Sequence, residues 1–199
     1  FEEGLYDERP AAREVARTFG TEHTEVVLRP QATGMLERVV ETYDEPLADA
    51  SAIPTMLICD AVKPHVKVLL TGDGGDEAFG GYDRYRALGL AAGMGPGLYA
   101  ALRGAAALAR PVASRSERSR LRRLIRFADA LHLPPALQYF TYRRLFGPDD
   151  LAQLLADEFA RKLDLDAPRD RFCELYDGIE ADDEVRRAQV HDMLTYLPD

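Results

Sequence analysis

The sequence predicts an α/β chain, with part of a parallel sheet at the front and a mostly helical portion behind it. Three observations lead there. Up to Tyr85, helix-like and strand-like periods alternate at the spacing of crossover connections. The run Val66 to Leu70 is β-branched or aliphatic with only Lys67 polar, as a strand buried on both faces reads. Beyond Tyr85 nothing reads as a buried strand, and helical periodicity recurs instead. The boundary falls near Arg86, giving a partial α/β core over 1–86 and a helical layer of the same domain over 87–199.

The elements follow in order. Asp7 suits the N-cap of a helix over about 8–19, with Pro10 tolerated in its first turn. Ala12, Val15, Ala16 and Phe19 fall at i, i+3, i+4, i+7 and make one apolar face, and Gly20 stops the helix. Glu25 to Leu28 reads as a strand. Residues 34–43 make a second helix with Leu36, Val39, Val40 and Tyr43 facing inward, broken by Asp44-Glu45-Pro46. A third runs from about Ser51 to Val62, and Pro64 ends it and feeds the strand at Val66. Further on, 98–109, 117–132, 134–146, 148–161 and 181–195 carry helical periodicity, separated by Pro111, Pro134-Pro135, Gly147-Pro148 and Pro168.

The loop after the Val66 run holds the chemistry. Gly72, Gly74 and Gly75 permit positive φ and close approach of a ligand, and Asp73, Asp76 and Glu77 place three carboxylates among them. Parallel strands in open α/β sheets bind ligands at such ends. Backbone N–H groups in a glycine-rich turn cradle phosphate oxygens, and Mg²⁺ lets carboxylates sit beside them. Two readings stand side by side: a Mg-nucleotide site, and an acidic turn that merely starts a helix. A calcium loop lacks the alternating oxygen ligands and the terminal Glu.

Composition narrows the class. The 199 residues are 46% hydrophobic, enough for a core, with no apolar run of the roughly 18 residues a membrane helix needs. The net charge of −9 does not invite nucleic acid. Cys59 and Cys173 are far apart in sequence and read as buried thiols of a reducing compartment, the cytoplasm. The four histidines form no zinc motif. The sequence opens at Phe1 with no Met or leader-like segment and reads as a piece of a longer chain. An arginine-rich stretch over 103–126 reads as a solvated helix face or a contact with an acidic neighbour, since it lacks aromatics for base stacking.

The segment Thr71-Gly-Asp-Gly-Gly-Asp-Glu-Ala-Phe-Gly-Gly-Tyr-Asp-Arg-Tyr85 resembles the [ST]-G-[DE]-G-[GS]-D-E-x-F-G-G-Y-x-x-Y motif of the glutamine-hydrolysing asparagine synthetase family. Asp44-Glu-Pro-Leu-Ala-Asp-Ala-Ser-Ala-Ile-Pro-Thr55 resembles its D-E-P-x-x-D-x-S-x-x-P-T run, and the segments at 1–8 and 20–23 also agree. The likeness is strong over 1–86 and faint beyond, up to Tyr196-Leu-Pro-Asp199. It implies an adenine-nucleotide α-hydrolase-like parallel sheet, present in part. It implies that ATP activates the aspartate side-chain carboxylate as β-aspartyl-AMP, and that ammonia from a glutaminase domain displaces AMP. By resemblance Asp73 is catalytic, Thr71, Gly72, Gly74 and Gly75 bind ATP, and Asp76 holds Mg²⁺ on the pyrophosphate. Phe79 packs in the core, and Tyr82 suits either core or site. Asp44, Glu45 and Asp49 serve to terminate helices.

Departures from the pattern count as well. The family's S-G-G-[LV]-D-S loop would precede Phe1, and its R-x-P-F-L-D segment would follow Asp199, so the chain alone is expected to be inactive. The expected partners are ATP, aspartate and ammonia, with neither nucleic acid nor membrane. Two alternatives are a related amidotransferase acting on another carboxylate, of the cell-surface polysaccharide or β-lactam type, and a non-catalytic scaffold binding through the arginine-rich helices.

Overall fold

The computed structural model describes residues 7, 9–25, 27, 34–44, 49, 51–112 and 120–198. The chain forms two units, Phe1–Thr71 and Gly72–Asp199.

In the first unit the described elements are α1 (Arg9–Phe19), α2 (Met35–Tyr43) and α3 (Ala52–Val62). Asp7 accepts the Arg9 N–H at 3.2 Å and starts α1. Arg13 grips Glu25 through two bonds of 2.7 Å. Asp44 ends α2 in the left-handed region at φ 59°, an uncommon state for a residue with a Cβ. Asp49 Oδ1 accepts the Ser51 N–H at 2.8 Å ahead of α3. Asp44 thus terminates a helix as expected, whereas Asp49 stands before one and helps to start it; Glu45 lies outside the described residues. α2 and α3 pair through Tyr43 Oη donating to Ala52 O at 3.3 Å and an Arg38–Asp60 ion pair at 2.5 Å. Met35, Ala52 and Met56 are buried. The faces expected to point inward do so only in part: Ala16, Val39 and Tyr43 are half-buried, while Val15, Phe19, Leu36 and Val40 are exposed.

The expected parallel sheet is overturned. Among the described residues there is no strand. Val66 to Leu70 is irregular, with a bend at Lys67, and pairs with nothing in a ladder; Val68 and Leu70 are 77% and 92% exposed. A strand exists only through its neighbour's N–H and C=O groups, and an apolar run supplies no neighbour. Of the strand expected at 25–28, Glu25 and Val27 are irregular, and Val26 and Leu28 lie outside the described residues.

The second unit is helical: α4 (Gly75–Phe79), α5 (Asp83–Ala92), α6 (Pro96–Ala109), a 3₁₀ turn (Arg110–Val112), α7 (Arg120–Ala130), α8 (Pro135–Arg143), α9 (Pro148–Leu154), α10 (Asp157–Ala160), α11 (Ala167–Asp177) and α12 (Glu184–Thr195). Four prolines open helices rather than separate them. Pro96, Pro135, Pro148 and Pro168 sit in first turns, where the missing N–H has no intrahelical partner to lose. Asp183 caps α12 by accepting the Arg186 N–H at 2.7 Å. α12 packs on α4, α5 and α11, α8 packs on α5, α7 and α11, and α6 pairs with α7. The core gathers Tyr85, Leu88, Ala136, Tyr139, Tyr176 and Ala188. Alanines at the contacts let the helices approach while the tyrosine rings fill the space between them.

Candidate functional site

The motif loop folds locally. The Gly75 N–H bonds Gly72 O at 3.0 Å and closes a turn over Gly72, Asp73, Gly74 and Gly75. Gly74 takes φ 83° and ψ −8°, the third-position geometry of a type II turn, which a side chain would strain. Asp73 stands at the corner of that turn and is exposed. Asp76 lies in α4 and is exposed too, its carboxylate folded over Gly81. A Cβ on Gly81 would meet Asp76 Oδ1 at 1.9 Å, so only glycine leaves the carboxylate that place. Gly72 to Gly75 are thus brought onto one turn with Asp76 next to it in α4; Thr71 is exposed at the end of the first unit.

Glu77 behaves differently from its acidic neighbours. It is 2% exposed, and its Oε1 accepts the Tyr82 hydroxyl at 2.9 Å. Burial, and then this bond to a carboxylate, hold the Tyr82 phenol well above its ordinary range. Tyr82 is thus half-buried, packed against the core and bonded to the loop helix. Phe79 is not core: it is 91% exposed, because a five-residue helix turns away before its far side is covered.

Behind the loop lies a buried polar centre that the sequence did not single out. Asp192, fully buried in α12, accepts hydrogen bonds from Tyr85 Oη at 2.7 Å and from the Tyr139 hydroxyl. Arg84 Nη2 bonds Oδ2 at 2.9 Å, and Arg143 Nη1 bonds Oδ1 at 3.0 Å. Burial alone would raise the Asp192 carboxyl; the adjoining His191 ring, the two hydroxyls and the Arg84 charge outweigh it and hold it at about 2. The Arg84 guanidinium also stacks on Tyr82, 3.5 Å from the ring centroid. One signal was available: Val185, Ala188, Gln189 and Asp192 run at i, i+3, i+4, i+7, so polar residues fill slots of an apolar stripe.

Other predicted features resolve simply. Arg110 pairs with Asp129 at 2.5 Å and Arg123 with Asp83 at 2.9 Å, so part of the arginine-rich stretch serves contacts within the unit; Arg115 and Arg118 lie outside the described residues. Cys59 is exposed rather than buried, and Cys173 is half-buried, its thiol pushed up by burial. Among the described residues no helix is long and apolar enough to cross a membrane. A cleft of about 470 Å³ between α5, α6 and the α7–α8 turn, and another of about 720 Å³ along α2 and α3, are lined by residues outside the motif loop.

Comparison with known proteins meets this loop again. The asparagine synthase family model matches residues 1–199. The chain is 40% identical over 87 residues to the glutamine-hydrolyzing asparagine synthetase 1 of Bacillus subtilis, a stretch covering 43% of this chain and 14% of that protein. It is 38% identical over 81 residues to a putative glutamine-hydrolyzing asparagine synthetase 2 of Methanocaldococcus jannaschii, covering 40% and 16%. A putative asparagine synthetase of Mycobacterium tuberculosis is 37% identical over 87 residues, covering 43% and 13%. The matched stretch is thus a small part of each relative. No solved structure matches. With its motif turn intact and the family matched from end to end, the chain belongs to the asparagine synthase family.

Proposed function

We propose that this chain is part of a glutamine-dependent asparagine synthetase, an ATP-dependent carbon–nitrogen ligase of asparagine biosynthesis working in the cytoplasm. It activates the aspartate side-chain carboxylate with ATP and amidates it with ammonia supplied by a glutaminase domain. The observation that carries this reading is the family match along the whole chain, whose motif loop is an exposed turn bearing Asp73 and Asp76.

The residues suit the chemistry. Thr71 offers a hydroxyl, Gly72 and Gly75 offer open backbone beside the nucleotide, and Gly74, with the Leu197 side chain against it, shapes the turn between them. Added Cβ atoms at Gly72 and Gly75 would meet nothing within 4 Å, which supports close approach of a ligand there. Asp76 supplies an anionic oxygen in the niche left by Gly81, and a hard cation such as Mg²⁺ needs only one or two such carboxylates beside phosphate. When bound, Mg²⁺ neutralises phosphate oxygens. Asp73, at the turn's corner, orients a cation toward the reacting carboxylate or accepts the proton lost as ammonia attacks.

Asp73→Asn in the full-length protein is the test. Aspartate-dependent pyrophosphate release should fall by about 10²–10⁴-fold, the usual contribution of a positioned acid–base group, while glutamine hydrolysis persists. Unchanged pyrophosphate release would reduce Asp73 to a turn residue.

A further inference from the structure

We propose that Gln189 is a positioning residue for the acidic turn, holding Asp76 in place through the carbonyl groups of α4. The inference rests on the reading of Asp76 as the cation-binding carboxylate.

The need for such a residue comes from α4 itself. A helix of five residues has no stability of its own, and its last carbonyls lack intrahelical donors. The Gly80 and Gly81 N–H groups both turn back to Asp76 O, which leaves Glu77 O and Ala78 O to be satisfied from elsewhere. Gln189 Nε2 does this, donating to Glu77 O at 2.7 Å and reaching Ala78 O at 3.4 Å. The amide is buried, with 8% of the residue exposed, so water does not replace it.

The donor is itself fixed. Gln189 lies one turn before Asp192 on the same face of α12, and Asp192 is held by Arg84, Arg143, Tyr85 and Tyr139. That anchor sets the axial position of α12, and with it the place of the Gln189 amide. On the receiving side, the Asp76 carboxylate rests against Gly81, just past the end of α4 that Gln189 ties down. If this end shifts, the carboxylate and its niche part company. Gln189 touches neither nucleotide nor ion; it acts through the backbone that carries the ligand.

The experiment uses the full-length protein and Mn²⁺ with α,β-methylene-ATP as the probe, free Mn²⁺ being read by electron paramagnetic resonance. Gln189→Met keeps the length and removes the donor; Gln189→Glu, isosteric, sets an oxygen against the carbonyls and serves should the first variant not fold. Mn²⁺ affinity should fall roughly 10-fold in either, the lower end for residues that orient a metal ligand. The Mg²⁺ concentration for half-maximal pyrophosphate release should rise by the same factor. Asp76→Asn is measured beside them, and adding Gln189→Met to it should weaken binding no further. If Asp76→Asn weakens Mn²⁺ binding while both Gln189 variants leave it unchanged, the positioning role is overturned and the site stands. Independent losses in the double variant overturn it too. If Asp76→Asn itself changes nothing, the site reading fails and the inference falls with it.

Discussion

Helices of both units carry apolar stripes, yet the second unit closes over a core of large side chains while the first buries only Met35, Ala52 and Met56 among its described residues. In Phe1–Thr71 the stripes of α1 and α2 lie largely open, with Phe19 76% and Leu36 71% exposed. In Gly72–Asp199 the helices close over Tyr85, Tyr139 and Tyr176, none more than 1% exposed. The largest residues of the second unit's core, Tyr85, Tyr139 and Tyr176, have a polar end. A buried hydroxyl favours an acceptor: two of these three find Asp192 and Tyr176 finds Glu184, whereas the buried Tyr142 hydroxyl beside them finds none. An apolar stripe asks for cover of any kind. A buried hydroxyl accepts only a neighbour that presents the right atom in the right place, which fixes one packing among many.

The largest effect should come from removing that shared acceptor. Asp192→Ala leaves Arg84, Arg143 and two tyrosine hydroxyls without their carboxylate, and breaking a buried charge pair from one side costs about 3–5 kcal/mol. Native-state hydrogen exchange on the full-length protein should show that loss in α5, α8 and α12, with α2 and α3 unaffected. A loss spread evenly over both units would break the contrast between them.

Acid is a gentler way to make the same cut. The Asp192 carboxyl is held at about 2, below its unfolded value near 4. Its contribution is therefore complete above pH 5 and drains away as pH falls toward 2, by on the order of 2 kcal/mol. Tyrosine near-UV circular dichroism between pH 6 and pH 2 follows the second unit, which holds Tyr82, Tyr85, Tyr99, Tyr139, Tyr142, Tyr176 and Tyr196. Asp192→Asn, having no charge to lose, should flatten this part of the profile. An identical acid slope in the variant would place the titrating group elsewhere.

What could be read from the sequence was local. The end of α2 was legible because its stop signal, Asp44, adjoins the last helical residue, whereas Asp49 was read as a stop and acts as a start. The acidic turn was legible because it too is closed locally, by the Gly75 N–H on Gly72 O. α11 was not, because Pro168 looks the same as a breaker and as a first-turn residue. The sheet was misread because the Val66 run carries strand composition without naming a partner. The α12 stripe marked Gln189 and Asp192 as polar residues in apolar slots, but their partners Glu77 and Arg84 stayed hidden, lying 112 and 108 residues away.

The smallest effect belongs to the open stripe, and it bears on the contrast most directly. Leu36 and Val40 lie one turn apart on α2, 71% and 62% exposed, so serine at both removes little area from contact. Apolar burial stabilises in proportion to area withdrawn from water, at about 25 cal/mol per Å², and here little is withdrawn. Helix preference changes only slightly between these residues and serine. Exchange protection of α2 and α3 in the full-length protein should therefore move by no more than about 0.5 kcal/mol, the range of ordinary surface substitutions. A drop of about 2 kcal/mol or more is the size expected for truncating a covered side chain. It would mean that this stripe is buried in the full-length protein and that the two units differ only in where their cover comes from.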